Sequence, residues 1–176
     1  MLRIKDYLSG IICLMVIGIS TCVYAADDDK NQPLYLQADS VSLDNKTGES
    51  QYVGHVTVQQ GSSYLTADRA TVHTDKDHKI QEAIAYGTPL NQAHYRTQSD
   101  PEKPEMNAYA DVIKIYPQEH WVYLIGHAKV TQGADSYKAP EIEYNSMTQR
   151  VFSKKSAAGR TQIVIHPDDN KSGDKL

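Results

Sequence analysis

Seven histidines, two cysteines and a surplus of carboxylates are the side chains of this chain with most scope for chemistry. Their spacing offers little of it. No His-x-x-x-His or His-Glu-x-x-His pattern occurs, so no helical turn would aim two imidazoles at one metal ion. His55 and His127 hold equivalent places in an internal repeat and form the one candidate metal pair. The competing reading turns them outward beside a glycine, because they sit opposite in parity to Val56 and Val58. Ser62, Ser63 and Ser136 lack a nucleophile-elbow setting. Asp39, Asp68 and Asp111 each follow an alanine. General acid–base catalysis needs two carboxylates in one cleft, whereas acids recurring at repeat positions mark structural corners, where they are expected to accept backbone hydrogen bonds. There is no glycine-rich phosphate loop, and Asn45-Lys46-Thr47 and Asn170-Lys171-Ser172 match a glycosylation pattern that is often met by chance. The residues therefore point to no enzyme, no metal and no cofactor.

What must position these residues is a repeat. Tyr52-Val-Gly54-His55-Val56-Thr-Val58-Gln-Gln60-Gly61 returns 72 positions later as Leu124-Ile-Gly126-His127-Ala128-Lys-Val130-Thr-Gln132-Gly133. The same shift carries Ala38-Asp39 onto Ala110-Asp111 and Gly87 onto Gly159. Ala-Asp also occurs at Ala67-Asp68, with Ala139-Pro140 as a broken fourth copy, and the members of each pair are 29 residues apart. Self-similarity of this kind means that one supersecondary unit is stacked. Each unit reads as a pair of short strands joined by a turn, in about four copies. Tyr52, Gly54, Val56 and Val58 alternate onto one face. After each Ala-Asp the apolar parity slips: Leu34, Leu36 and Ala38 are even, Val41 and Leu43 odd. A one-residue slip turns a straight strand inside out, so a bulge or bend is expected at each Ala-Asp.

In chain order, residues 1–25 read as an export signal. Arg3 and Lys5 precede an apolar run from Leu8 to Val23, and Val23-Tyr24-Ala25 offers small residues for cleavage after Ala25. An uncleaved anchor is disfavoured because the run is short for a bilayer span. A lipoprotein reading through Cys22 fails on Thr21. Cleavage would remove both cysteines, Cys13 and Cys22, along with Arg3, Lys5 and Asp6, leaving 151 residues with 16 basic and 21 acidic side chains, a net charge of −5. That length suits one domain with a core, and that charge argues against nucleic acid and against docking on an anionic membrane. Residues 26–33 form a polar leader. A β domain spans 34–166, with turns at Asp44 to Gly48, Asp75 to Lys79 and Tyr116 to Glu119. Gln98 to Glu105 holds Pro101 and Pro104 and reads as a hairpin loop between the two halves. Residues 167–176 are a polar tail expected to be disordered. No apolar positions at helical spacing follow residue 25, and β-branched residues and Tyr dominate.

The alternating apolar positions Leu34, Leu36, Val56, Val58, Leu65, Val72, Val122, Leu124, Val130 and Ile142 imply an inner face. It could close on itself as a sandwich core or stay open as a trough; in either case the two ends of the stack are unpaired strand edges. The start Leu-Tyr-Leu-Gln-Ala-Asp-Ser-Val-Ser-Leu-Asp, the Gly-His-Val-Thr-Val-Gln-Gln-Gly stretch, Ala-Asp-Arg-Ala-Thr-Val and Tyr86 to Pro89 together resemble the OstA-like family of periplasmic lipopolysaccharide-transport proteins, over about Leu34 to Ile165. The resemblance implies an all-β fold, a twisted β-jellyroll of stacked antiparallel strands open at both ends. It also implies a periplasmic carrier that takes the acyl chains of lipopolysaccharide, its lipid A moiety, into an apolar groove. The groove would comprise the positions above together with Val41, Leu43, Tyr52, Ile113 and Ile115. Partners would be further copies joined head to tail, an inner-membrane transport complex and an outer-membrane assembly protein. An inner-membrane-anchored relative with the same sheet, handing lipid to a soluble bridge, is the alternative. A periplasmic hydrolase on a β-solenoid is a second one, disfavoured by the missing acid pair and nucleophile.

Overall fold

The computed structural model describes residues 32–98, 102–148, 150–153 and 159–166. The expected export signal, most of the leader and the tail lie outside the described residues. Among the described residues twelve strands follow in order: β1 (Leu34–Gln37), β2 (Ser40–Asp44), β3 (Glu49–Gln60), β4 (Ser63–Thr74), β5 (Ile80–Tyr86) and β6 (Ala93–Thr97), then β7 (Met106–Ala110), β8 (Val112–Tyr116), β9 (Trp121–Gln132), β10 (Asp135–Asn145), β11 (Arg150–Phe152) and β12 (Gln162–Val164). All pairings are antiparallel, and no helix occurs among the described residues.

The repeat is a repeat of pairing. β3 pairs with β1, β2 and β4, as β9 pairs with β7, β8 and β10. β4 then pairs with β5 and β6, as β10 pairs with β11 and β12. The halves join through β5 with β8 and β6 with β7. The expected short strands are, at four places, long bent ones: β3, β4 and β9 run 12 residues each and β10 runs 11.

Each long strand serves two sheets, one on either side of its bend. One end of the long strands builds a first wall in the order β1-β3-β4-β6-β7-β9-β10-β12. The other end builds a second wall in the order β2-β3-β4-β5-β8-β9-β10-β11. The bends fall at the expected sites. Between β3 and β4 the register shifts from Val53 opposite Arg69 to Val56 opposite Ala67, so Gly54 and His55 together face Asp68. Between β9 and β10, Gly126 and His127 face Pro140 in the same way. Two residues opposing one is a β-bulge, which bends its strand. Pro140 does not break this fourth corner, because a bulge is one of the places where a sheet tolerates a residue with no N–H.

The bulge needs its glycine. Gly54 has φ +80° and Gly126 φ +78°, and a Cβ there would collide with the carboxylate oxygen Oδ2 of Asp39 or of Asp111. The outer turns are held by carboxylates. Asp44 accepts from the backbone N–H groups of Lys46 and Thr47, and Asp75 from those of Asp77 and Lys79. These bonds favour the ionised form and hold both carboxyls below their ordinary value.

Candidate functional site: the inner face of the bent sheet

Residues opposite one another across a ladder share a face, so the pairing registers trace the interior row by row. Nearest the bends lie Val56 with Ala67, Ala93 with Ala110, and Ala128 with Ala139. Further along the first wall an unbroken row crosses all its strands: Leu36, Val58, Leu65, Tyr95, Ala108, Val130, Tyr137 and Ile163. On the second wall one row runs Val41, Tyr52, Ala70, Ala85, Ile113, Leu124 and Ile142. A second row beyond it runs Leu43, Ser50, Val72, Ala83, Ile115, Val122, Tyr144 and Val151.

All the groove positions expected from the sequence therefore lie on inward rows, with Leu34 at the first wall's outermost register opposite Gln60. They divide by depth. Val56, Leu65, Ile113, Leu124 and Ile142 are buried and belong to one cluster that joins the two walls, so they form a packed floor. Leu36, Tyr52, Val58, Val72, Ile115, Val122 and Val130 are half-buried above it. Leu34, Val41 and Leu43 are exposed, because β1 and β2 are edge strands with a single neighbour among the described residues.

The sequence reading missed the alanines. Ala67, Ala70, Ala85, Ala93, Ala108, Ala110, Ala128 and Ala139 are eight of the thirteen buried apolar residues among those described. Small side chains let the walls approach where they meet. A signal was present for three of them, since Ala67 and Ala110 precede an aspartate and Ala139 precedes Pro140 in the broken copy, but those pairs read as marks of the corner rather than as its packing. Tyr95 and Tyr137, also packed on the floor, were passed over because tyrosine is as common on outer strand faces.

The candidate chemical groups act as clasps. The carboxylate of Asp39 accepts from His55 Nδ1 at 2.7 Å and that of Asp111 from His127 Nδ1 at 2.8 Å. The backbone N–H of each aspartate donates to Gly54 or Gly126 across the same corner, both at 2.9 Å. This corrects the expectation that the corner carboxylates bind backbone: they bind histidine side chains, and Asp68 binds the amide of Asn91. Each histidine has positive φ, His55 at 46° and His127 at 48°, and its side chain points to solvent, as its parity required. Asp39 raises the pKa of His55, first by its hydrogen bond and then by its charge. No group of three metal-ligating side chains occurs among the described residues. A polar concavity of about 460 Å³ lies on the outer face of the second wall, lined by His73, Gln81, Glu82, Tyr116, Gln118 and Glu119. Tyr116 donates to Glu82 there and its pKa is pushed up to about 12, which keeps the phenol protonated rather than available as a base.

A doubly walled antiparallel sheet with a packed floor and half-buried apolar walls defines a protein of the β-jellyroll class. Comparison with known proteins agrees. Residues 35–150 match the family model described as LptA/(LptD N-terminal domain) LPS transport protein, and the chain belongs to that family. It is 32% identical to the lipopolysaccharide export system protein LptH of Pseudomonas aeruginosa over 84% of this chain and 87% of that protein. It is 25% identical to the lipopolysaccharide export system protein LptA of Escherichia coli K12 over 96% of this chain and 92% of that one. The crystal structure of LptH, titled as the LptA-homologous periplasmic component of the lipopolysaccharide transport device, superposes with a TM-score of 0.69 over 79% of this chain and 99% of that chain.

Proposed function

We propose that this protein is a periplasmic component of lipopolysaccharide export, a carrier that shelters acyl chains on the inward rows and joins copies of itself end to end. The observation that carries this reading is the continuity of those rows. On the first wall one runs from Leu36 on β1 to Ile163 on β12, edge to edge. An acyl chain of about a dozen methylenes left in water costs about 10 kcal/mol, at about 0.8 kcal/mol per CH₂. A lipid with several such chains crosses an aqueous compartment only under an apolar cover, and a cover interrupted at each unit would fail at each interruption. The carrier itself needs no catalytic step, so energy enters at an inner-membrane transport complex and the lipid leaves to an outer-membrane assembly protein. The export signal delivers the chain to the periplasm, and cleavage after Ala25 leaves a soluble product without cysteine.

The joint between copies follows from the joint inside the chain. β12 is the repeat counterpart of β6, and β1 that of β7. Inside the chain Tyr95 of β6 stands opposite Ala108 of β7, and Ala83 of β5 opposite Ile115 of β8. Repeating that geometry between copies sets Ile163 opposite Leu36 of a second copy and Val151 opposite Leu43. The two edges differ, so such pairing does not close and propagates as a filament. Copies carrying Ile163→Cys and copies carrying Leu36→Cys are expected to form a disulfide-linked dimer on mixing, and wild-type protein to sediment as larger species with rising concentration. A single monomeric species at high concentration, with no cross-link, would leave the bridge without its joint. Binding of purified protein to lipopolysaccharide, lost on placing a charge at Val122, tests the groove.

A further inference from the structure

The joint inside the chain is also held at its corner, away from the strand ladders. Gln92, in the link between β5 and β6, donates its side-chain amide to Asp111 Oδ1 at 3.3 Å and to the His127 carbonyl at 3.2 Å. Its neighbour Asn91 donates to Asp68 at the bend of β4. Gln92 thus covers Asp111, whose side chain is 21% exposed. The equivalent Asp39, at the β1–β2 edge, has no such cover and is 62% exposed. His55 takes its Oδ2, and among the described residues no side chain takes its Oδ1.

The residue that fits this gap stands at the other edge. β6 and β12 are offset by 68 residues, since Tyr95 and Ile163 stand opposite the repeat partners Leu65 and Tyr137. β5 and β11 have the same offset, Ala83 and Val151 standing opposite Val72 and Tyr144. That offset sets Gly159 in the place of Asn91 and Arg160 in the place of Gln92. The corner agrees: Asn91 bonds Asp68, and a Cβ on Gly159 would come within 3.7 Å of Pro140, the repeat partner of Asp68. Arg160 is exposed and makes no hydrogen bond or ion pair among the described residues.

A second place on the second wall has the same character. Inside the chain Tyr116 of β8 donates to Glu82 of β5. The offsets put Arg150 in the place of Glu82 and Asp44 in the place of Tyr116. Arg150 is exposed, and Asp44 is held ionised by the backbone N–H groups of Lys46 and Thr47. The joint inside the chain therefore sets a neutral donor against a carboxylate at each place. The free edges offer a guanidinium and a carboxylate instead.

We infer that the joint between copies is keyed by two ion pairs, Arg160 with Asp39 of the next copy and Arg150 with its Asp44. The inference rests on the end-to-end reading above and adds what selects and registers that joint. Arg160 then meets Asp39 Oδ1 and the His55 carbonyl, the counterparts of the two acceptors that Gln92 uses. A guanidinium has five N–H donors in a planar fork, enough for both. The joint inside the chain needs no such key, because the chain itself fixes which edges meet. Free copies must choose, and pairing two like edges would bring arginines to arginines or aspartates to aspartates, which disfavours the wrong joints.

Sedimentation velocity of the exported full-length chain, over a concentration series at low and high salt, tests the key. The wild-type dissociation constant is expected to rise with salt. Arg150→Gln combined with Arg160→Gln should raise it about tenfold at low salt, as two ion pairs at an interface rim would give, and remove most of the salt dependence. Both arginines are exposed, so unchanged thermal melting separates loss of the key from loss of the fold. In the disulfide assay, Arg160→Glu on the Ile163→Cys copies should lower the cross-linked yield, and Asp39→Lys on the Leu36→Cys copies should restore it. Loss without restoration would give Arg160 another partner and overturn the pairing. If wild type stays monomeric and yields no cross-link, the end-to-end joint fails and the key falls with it. If wild type associates and the arginine variants match it at both salts, the joint stands and the key alone is wrong.

Discussion

Val41 and Ile113 occupy the same place in the two halves, 72 residues apart, and meet opposite fates. Ile113 is 1% exposed and Val41 50%. Both stand on the first inward row of the second wall, next to an identical strand order. The difference is a neighbour: β8 has β5 on its far side, whereas β2 has none among the described residues. The same holds at the other end, where Val151 and Ile163 are 52% and 56% exposed on β11 and β12. At these inward positions apolar exposure thus reports position in the stack and not a change in the pattern of the chain. An edge that keeps the interior's residues is an edge that still expects an interior.

The largest expected effect separates these two places. Ile113→Ala should cost about 2–5 kcal/mol of unfolding free energy, the range for truncating a buried isoleucine, and Val41→Ala less than about 1 kcal/mol in dilute protein. Urea denaturation measures both. The comparison sharpens with concentration, because a second copy on β2 would bury Val41 and raise its cost. Equal costs in dilute protein would break it.

Next come the corners, where the halves should agree. Gly54→Ala and Gly126→Ala each force a Cβ onto an aspartate carboxylate at positive φ, and each should destabilise by at least the roughly 1–2 kcal/mol of a left-handed residue. A large difference between the two would show that the corners are not equivalent. Asp39→Asn tests the clasp. Since the pKa of His55 is raised above its ordinary 6.5 by Asp39, the clasp contributes fully below that ordinary value and fades as pH rises through the higher folded one. The melting-temperature gap between wild type and Asp39→Asn should therefore narrow from about pH 6 to about pH 8. The smallest effect belongs to the corner where the halves differ. Pro140→Asp restores the repeat without touching the bulge glycine, and should stay within about 0.5 kcal/mol of wild type.

Much of this fold is legible in the amino-acid sequence alone. The 72-residue echo, the parity slip at each Ala-Asp and the turns at Asp44, Asp75 and Tyr116 mark the strands and their bends, because alternation and bulges leave their traces within one segment. The depth of each groove residue is not legible there. Val56 and Val58 look alike in sequence, yet Val56 is wholly buried and Val58 half-buried, since depth depends on how near the bend a residue falls and on the wall across from it. The histidine–aspartate clasps are hidden for a related reason. Asp39 and His55 are 16 residues apart and meet only because a bulge turns His55 back over the corner.

The central claim is that lipid lies on the inward rows and nowhere else on the sheet. Neighbours on β9 test it most directly. Val122 and Val130 stand on inward rows of the two walls, and Tyr123 and Lys129 stand beside them on outward ones. With a photo-crosslinking residue placed singly at each position in cells, adducts with lipopolysaccharide are expected at positions 122 and 130 and not at 123 and 129. Equal yields at inward and outward neighbours, or adducts at the outward pair alone, would contradict a trough.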